Sequence, residues 1–370
     1  MTVPLFSIKD QHDELADGFK EAFERVLHSG GYILGQEVES FEMMVAQYLG
    51  VKHAIGVSSG TDALILPMMT LDLGPGDEVL CPDFTFLGTA GCVSRVGATP
   101  VFVDINEEDF NISIEDLKSK ITDKTKAIIP VHLFGQSANM DAIREIAKEH
   151  NLYIIEDAAQ SIGATYKGQQ TGTMGDFGCY SFFPTKNLGA LGDAGLVVTN
   201  DDELAHKARI MRVHGGESTY FHKYIGGNFR IDALQAALLK VKFPYLDSYV
   251  EKRRKNAAYY LEQLKDLEGI ILPKEIEGNF HTYNQFTIRV IGEGQRDALR
   301  QYLSEKGIGA NIYYPLVLSK QECFQGNSRG GENITVAAQV AKECLSIPIF
   351  PELKELQLKE VVEGITGFFN

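Results

Sequence analysis

The chain has 370 residues, 44% hydrophobic and 23% charged, which excludes a disordered, collagen-like or disulfide-stapled polypeptide. Thirty-five basic against fifty acidic side chains leave a net charge of −15, a field that repels phosphate backbones and argues against nucleic acid or an anionic membrane as partner. The five cysteines are scattered without a C-x-x-C pair, no stretch is apolar for the length of a membrane span, and Met1 to Gln11 lacks a signal pattern, so a cytoplasmic protein is expected.

From Val51 to Asn200, short β-rich runs alternate with helical patterns. The runs Ala54–Val57, Glu78–Cys81, Pro100–Val103, Ala127–Val131, Tyr153–Ile155, Gly178–Phe182 and Leu196–Thr199 predict seven strands of one large, mostly parallel α/β sheet. Helices are expected over Thr61–Leu71, Phe86–Val96, Met140–Glu149 and Asp202–His214. Ile231 to Leu267 is strongly helical with a break near Pro244. Beyond Gly269 the pattern reads strand, helix, strand, helix over Gln285–Val290, Gln295–Lys306, Gly309–Tyr313 and Thr335–Leu345. The expected division is a large domain over 1–245 and a small C-terminal α+β domain over 246–370.

The first turn with chemical content is Gly56-Val57-Ser58-Ser59-Gly60-Thr61, between a strand and a helix. Its free amides and the hydroxyls of Ser59 and Thr61 suit an anion, and an ordinary capped helix start fits equally well. The same letters satisfy G-x-S-x-G, which makes Ser58 a candidate hydrolase nucleophile, with Asp157 and His214 following in the right order. Next, Tyr153-Ile-Ile-Glu156-Asp157 ends a strand in acids. Open α/β sheets bind ligands at that end, so Asp157 is a candidate ligand partner, with a solvated loop acid as the bland reading. Then Ser181-Phe182-Phe183-Pro184-Thr185-Lys186 sets one lysine among aromatic and small residues. A desolvated amine of that kind becomes neutral readily and attacks carbonyls, whereas Lys126 and Lys167 read as surface residues. His132 and His214 read as structural histidines.

A phosphate cradle, a strand-end carboxylate and an isolated lysine together meet the needs of pyridoxal 5'-phosphate (PLP): an amine for the aldehyde, and an acid to keep the ring nitrogen protonated. Phe84 or Phe86 can supply a flat face for the ring, and core packing is the commoner use of either.

These residues also carry a resemblance that runs nearly end to end. Gly31-Tyr-Ile-Leu-Gly35, Ser59-Gly60-Thr61-Asp62-Ala63-Leu64, Pro75-Gly76-Asp77-Glu78-Val79, Glu156-Asp157-Ala158-Ala159-Gln160, Ser181 to Lys186, Gly227 to Asp232 and Leu345-Ser346-Ile347-Pro348 occur in serial order. The chain resembles the PLP-dependent nucleotide-sugar aminotransferases of the DegT/StrS family, with the fold type I aminotransferase architecture. The resemblance implies that Lys186 binds the cofactor and moves the proton, that Asp157 meets the ring nitrogen, and that Gln160 lies beside the ring's phenolic oxygen. It implies that Phe86 stacks on the ring, that Ser59, Gly60, Thr61 and Ser181 hold the phosphate, and that Asn228 reaches the cofactor of a neighbouring subunit in a homodimer. Arg230, Tyr313 and Tyr314 are the implied sugar-nucleotide contacts.

One position departs from the family's pattern, because Tyr313-Tyr314-Pro315 is followed by Ser319 where relatives often carry histidine. The family's dehydratases replace the lysine with histidine, and retention of Lys186 points to transamination. The expectation is amino transfer from L-glutamate, which leaves as 2-oxoglutarate with pyridoxamine 5'-phosphate behind, to a nucleotide-linked keto sugar for surface polysaccharide or lipid biosynthesis. The segments Tyr32–Glu42, Pro130–Gly135 and Ser319–Gln321 lean toward UDP-linked 2-acetamido-3-keto hexoses. A dTDP-linked 3-keto or 4-keto 6-deoxyhexose is the near alternative. From other classes stand a serine hydrolase using Ser58 and a PLP-holding regulatory protein.

Overall fold

The computed structural model describes residues 3–218 and 220–369; Met1, Thr2 and Asn370, the ends of the expected domain division, lie outside them, as does Thr219. Seven strands form one sheet: β1 (His53–Val57), β2 (Glu78–Pro82), β3 (Thr99–Val103), β4 (Thr125–Ile128), β5 (Tyr153–Asp157), β6 (Phe177–Ser181) and β7 (Gly195–Thr199). Their order is β1-β7-β6-β5-β4-β2-β3, and only β7 runs against its neighbours. All seven predicted runs are strands of this sheet. The fourth is shorter than expected because Pro130 has no N–H for the ladder; beyond it Val131 pairs with Asp157 only as an isolated bridge.

Alternation along the strands sorts the core into two layers. Val79 and Cys81 pack with the helix Gly60–Thr70, which buries Ala63 through Met68. Leu80 points the other way, into a cluster with Met140, Ile143, Ile146 and Ala147 of the helix Met140–His150. Apolar residues on both strand faces thus become a sheet with helices on both sides.

The helical stretch after Ile231 breaks where the proline predicts. Ala233–Lys242 gives way to a single 3-10 turn over Phe243–Tyr245 and then to Leu246–Leu264. Its end joins a smaller antiparallel sheet of Ile270–Ile271, Phe286–Val290 and Cys344–Ile347, covered by Gln295–Glu305 and Glu355–Phe369. Two expectations change here. Gly309–Tyr313 is not a strand and contributes only the bridge Asn311–Ser346, and Cys344 and Leu345 belong to a strand rather than to the helix Val336–Glu343 before it. Val3 packs in the small unit's core, its N–H donating to the Gly307 carbonyl and its own carbonyl accepting from Gly309.

Among the described residues no helix is long and apolar enough to cross a membrane.

Candidate active site

Three strand ends build the site. β1 turns through Ser58 and Ser59 into the helix Gly60–Thr70, and Ser59 caps it by accepting the Asp62 N–H at 3.1 Å. The helix ladder cannot reach the N–H groups of its first residues, so Gly60 and Thr61 are left with donors for an external acceptor. Gly60 is sterically required: a Cβ there would lie 2.6 Å from Ser181 Cβ, so the helix start and the end of β6 close on each other.

β5 ends in two acids with separate fates. Glu156 is fully buried and accepts N–H bonds from Gly172, Met174 and Gly175 at 2.5–2.7 Å. His132, equally buried, accepts the Ala138 N–H at Nδ1 and therefore donates from Nε2 to Glu156 at 2.8 Å, the structural role its sequence suggested. Asp157 instead reaches the site. Burial raises its pKa, opposed by the Thr89 hydroxyl at 2.7 Å, the Ala159 N–H at 3.2 Å and the nearby charge of Lys186.

Beyond β6 the loop folds back tightly, with the Lys186 N–H donating to Phe183 and the Ala190 N–H to Phe182. Gly189 permits this, since a Cβ there would meet the Pro184 carbonyl at 2.3 Å. Burial of the Lys186 amine pushes its pKa down to about 8, against the pull of Asp157. At pH 7.5 roughly a quarter of such amines are neutral, against about one in a thousand for an ordinary lysine.

One cavity of about 650 Å³ gathers Ser59, Gly60, Thr61, Phe86, Asp157, Gln160, Ser181, Lys186, Tyr313 and Tyr314 in its wall. Gln160 is fixed at both ends of its amide: Oε1 accepts the Phe134 N–H at 2.7 Å and Nε2 donates to the Tyr314 hydroxyl at 3.3 Å. Phe86 is 58% exposed on the wall, while Phe84 is buried against Phe110 and Tyr314, so the core reading holds for Phe84.

Asn228 and Arg230 are not in this wall. Their segment runs beside the end of β1, where Val57 pairs with Arg230 and the Ser58 N–H donates to Phe229. Asn228 is exposed, and Arg230 keeps a buried Nε without a partner among the described residues.

The hydrolase alternative finds no support. The Ser58 hydroxyl bonds to Asp62, Ser58 lacks the positive φ of a strained elbow, and Asp157 is engaged by Thr89 and Ala159.

Sequence reasoning passed over Thr89, Asp193 and Gln285, which also line the cavity. Thr89 had no signal at all, since its relation to Asp157 spans 68 residues. Phe183 and Thr185 could have been found as the flanks of Lys186.

Residues 13–366 match the DegT/DnrJ/EryC1/StrS aminotransferase family. A Geobacillus stearothermophilus protein named "Pleiotropic regulatory protein" is 47% identical over 100% of this chain and 99% of its own. The UDP-N-acetyl-3-dehydro-alpha-D-glucosamine 3-aminotransferase of Acidithiobacillus ferrooxidans is 43% identical over 98% and 97%. A crystal structure of NtdA from Bacillus subtilis with bound PMP superposes with a TM-score of 0.92 at 32% identity, covering 100% of this chain and 85% of that one.

Proposed function

The chain belongs to the DegT/DnrJ/EryC1/StrS aminotransferase family and is a PLP-dependent sugar aminotransferase, and we propose that it transfers the amino group of L-glutamate to C3 of a UDP-linked 2-acetamido-3-keto hexose. One observation carries the chemistry: an amine with its pKa lowered to about 8 shares a cavity of about 650 Å³ with a buried carboxylate and with the open N-terminus of a helix.

The residues present fit the cofactor. Gly60 adds no Cβ to the helix-start cradle, whose free N–H groups and adjacent hydroxyls suit a phosphate. A protonated ring nitrogen offsets the cost of burying Asp157. Lys186 would hold the aldehyde, Asp157 the ring nitrogen, and Ser59, Gly60, Thr61 and Ser181 the phosphate, with Phe86 against the ring and Gln160 at its edge. When bound, PLP supplies an electron-withdrawing ring that lets an amino group pass between two carbon skeletons. Lys186 Nζ, once neutral, accepts the α-proton of the donor and returns a proton to the carbon of the acceptor.

The acceptor's charge supports a homodimer. Among the described residues Lys186 is the one cationic side chain in the cavity wall, so a diphosphate needs a cation from outside it. Arg230 of a second copy suits that need, and Asn228 of that copy would reach the cofactor held in this one. Just before this segment Tyr220, Phe221 and Ile225 are 90%, 76% and 89% exposed, apolar surface that a subunit interface would cover. Tyr313 and Tyr314 would contact the sugar.

The test is a visible spectrum of the purified protein with PLP, followed by borohydride or glutamate and then by keto sugars. The reading expects an absorbance band that borohydride fixes onto Lys186 and glutamate discharges, then amination of the UDP-linked 3-keto substrate ahead of dTDP-linked 3-keto and 4-keto sugars. Absence of the band, or a reduced tag on another residue, overturns it. A regulatory protein of the kind the 47% relative is named for would keep the band and aminate no sugar.

A further inference from the structure

Ser319, which stands where the family pattern has histidine, does not line the cavity. Its side chain goes to Asp83 instead. Asp83 follows β2, is fully buried, and accepts both the Ser319 N–H at 2.6 Å and the Ser319 hydroxyl at 2.5 Å. The backbone adds two more bonds. The Asp83 carbonyl accepts the Leu318 N–H at 2.9 Å, and the Asp83 N–H donates to Val103 of β3 at 2.8 Å. The serine is enclosed from behind as well, since a Cβ on Gly331 would lie 2.4 Å from Ser319 Cβ.

Two short chain segments run from this junction to the cavity. Three residues after Asp83 comes Phe86, and five before Ser319 comes Tyr314; their rings stand 6.4 Å apart in the same wall. Phe84, one residue after Asp83, packs on Tyr314 with ring centres 5.9 Å apart. Val317 and Leu318 are only 3% and 2% exposed, so the segment is anchored at Ser319 and leaves Tyr313 and Tyr314 in the wall.

We propose that Asp83 and Ser319 form a positioning pair that sets the Tyr313–Tyr314 side of the cavity against Phe86, and so fixes the gap that admits the sugar. The inference rests on the proposed function for the identity of what enters the gap, and on the hydrogen bonds alone for the positioning. Burial pushes the Asp83 carboxyl up to about 6 while the Ser319 bonds oppose it, so the group is ionised at pH 7.5 and the serine bonds are charge-assisted. Position 319 acts through the tyrosines and does not touch substrate.

The test compares Ser319→Ala, Asp83→Asn and the double variant, each in the holoenzyme, by amide hydrogen exchange and by steady-state kinetics with the UDP-linked 3-keto sugar. Losing the serine hydroxyl bond is expected to speed exchange across Tyr313–Val317 and raise KM for the keto sugar, each about fivefold, with kcat and PLP affinity within about twofold. The double variant should be no worse than the worse single one, because Asp83→Asn strips the charge from the same hydroxyl contact that Ser319→Ala deletes. Unchanged exchange overturns the positioning, and faster exchange with unchanged KM overturns its link to the sugar. If Ser319→Ala does not fold, the shape-conserving Asp83→Asn decides the same points. If the wild-type enzyme aminates no keto sugar, the functional reading falls while the exchange comparison still decides the pair.

Discussion

Thr89 Oγ1 donates to Asp157 Oδ2 at 2.7 Å, so a hydroxyl from the helix after β2 fixes the carboxylate at the end of β5. Thr89→Val keeps the shape and removes the donor, leaving the buried carboxylate short of a partner. The expected result is PLP affinity weakened about tenfold, near 1.4 kcal/mol, with Thr89→Ser close to wild type. A spectroscopic titration of the apoprotein with PLP measures it; equal affinity in all three proteins contradicts the role.

The Lys186 amine, with its pKa pushed down to about 8, should set two pH dependences of the apoprotein. Its labelling by an acylating reagent, followed by peptide mass mapping, should rise through pH 8, well below the rise of surface lysines. The unfolded chain holds this proton up to the ordinary lysine value, and the folded one releases it near pH 8. Folding stability attributable to the residue therefore rises with pH between those values, and the cost of burying the charge is fully present below 8. Lys186→Met should be more stable than wild type at pH 7 by up to about 3 kcal/mol, a gap that narrows toward pH 10. Urea midpoints at both pH values report it.

Gly60→Ala places a Cβ 2.6 Å from Ser181 Cβ at the helix start. Relief of that contact must shift the helix N-terminus or the end of β6, at a cost of about 1–3 kcal/mol. The expected outcome is a folded protein with a lower Tm and PLP affinity reduced at least tenfold. Differential scanning calorimetry and the same titration test both halves, and an unchanged affinity contradicts the cradle.

Asp104, after β3, ties the helix Val336–Glu343 to the large sheet. Burial works against its charge, but N–H bonds from Ala337, Thr335, Val336 and Ile105 outweigh it and hold the pKa below the usual value. This contribution is fully present above the unfolded carboxylate pKa and is lost as pH falls through the lower folded value. Asp104→Asn should cost about 1.5–3 kcal/mol at pH 7, with a wild-type advantage that shrinks below about pH 4. Urea unfolding at pH 7 and pH 3.5 gives the comparison.

The seven strands, the helix starts and the three chemical segments were legible in the sequence because each signal is local. A strand shows itself as a β-rich run, a helix start as Ser59 before Gly60, and a desolvated lysine as Lys186 among aromatic and small neighbours. The chemistry of the three segments taken together was enough to suggest PLP. The failures were local signals overruled by pairing: Gly309–Tyr313 reads as a strand but forms one bridge, and Cys344 and Leu345 read as helix but pair with Arg289 and Ile288. Phe84 and Phe86 look alike in sequence, and only packing separates the core residue from the cavity wall.

What the sequence determined by itself is the set of chemical groups and the elements that carry them, since backbone preference and side-chain chemistry act over a few residues. The tertiary structure alone decided which groups meet: the reversed β7 within the sheet, Thr89 on Asp157, and Ser319 on Asp83 across 236 residues. Hydrogen bonds at such separation leave no periodic trace in the chain, because what brings their partners together is the burial of whole strands and helices against one another.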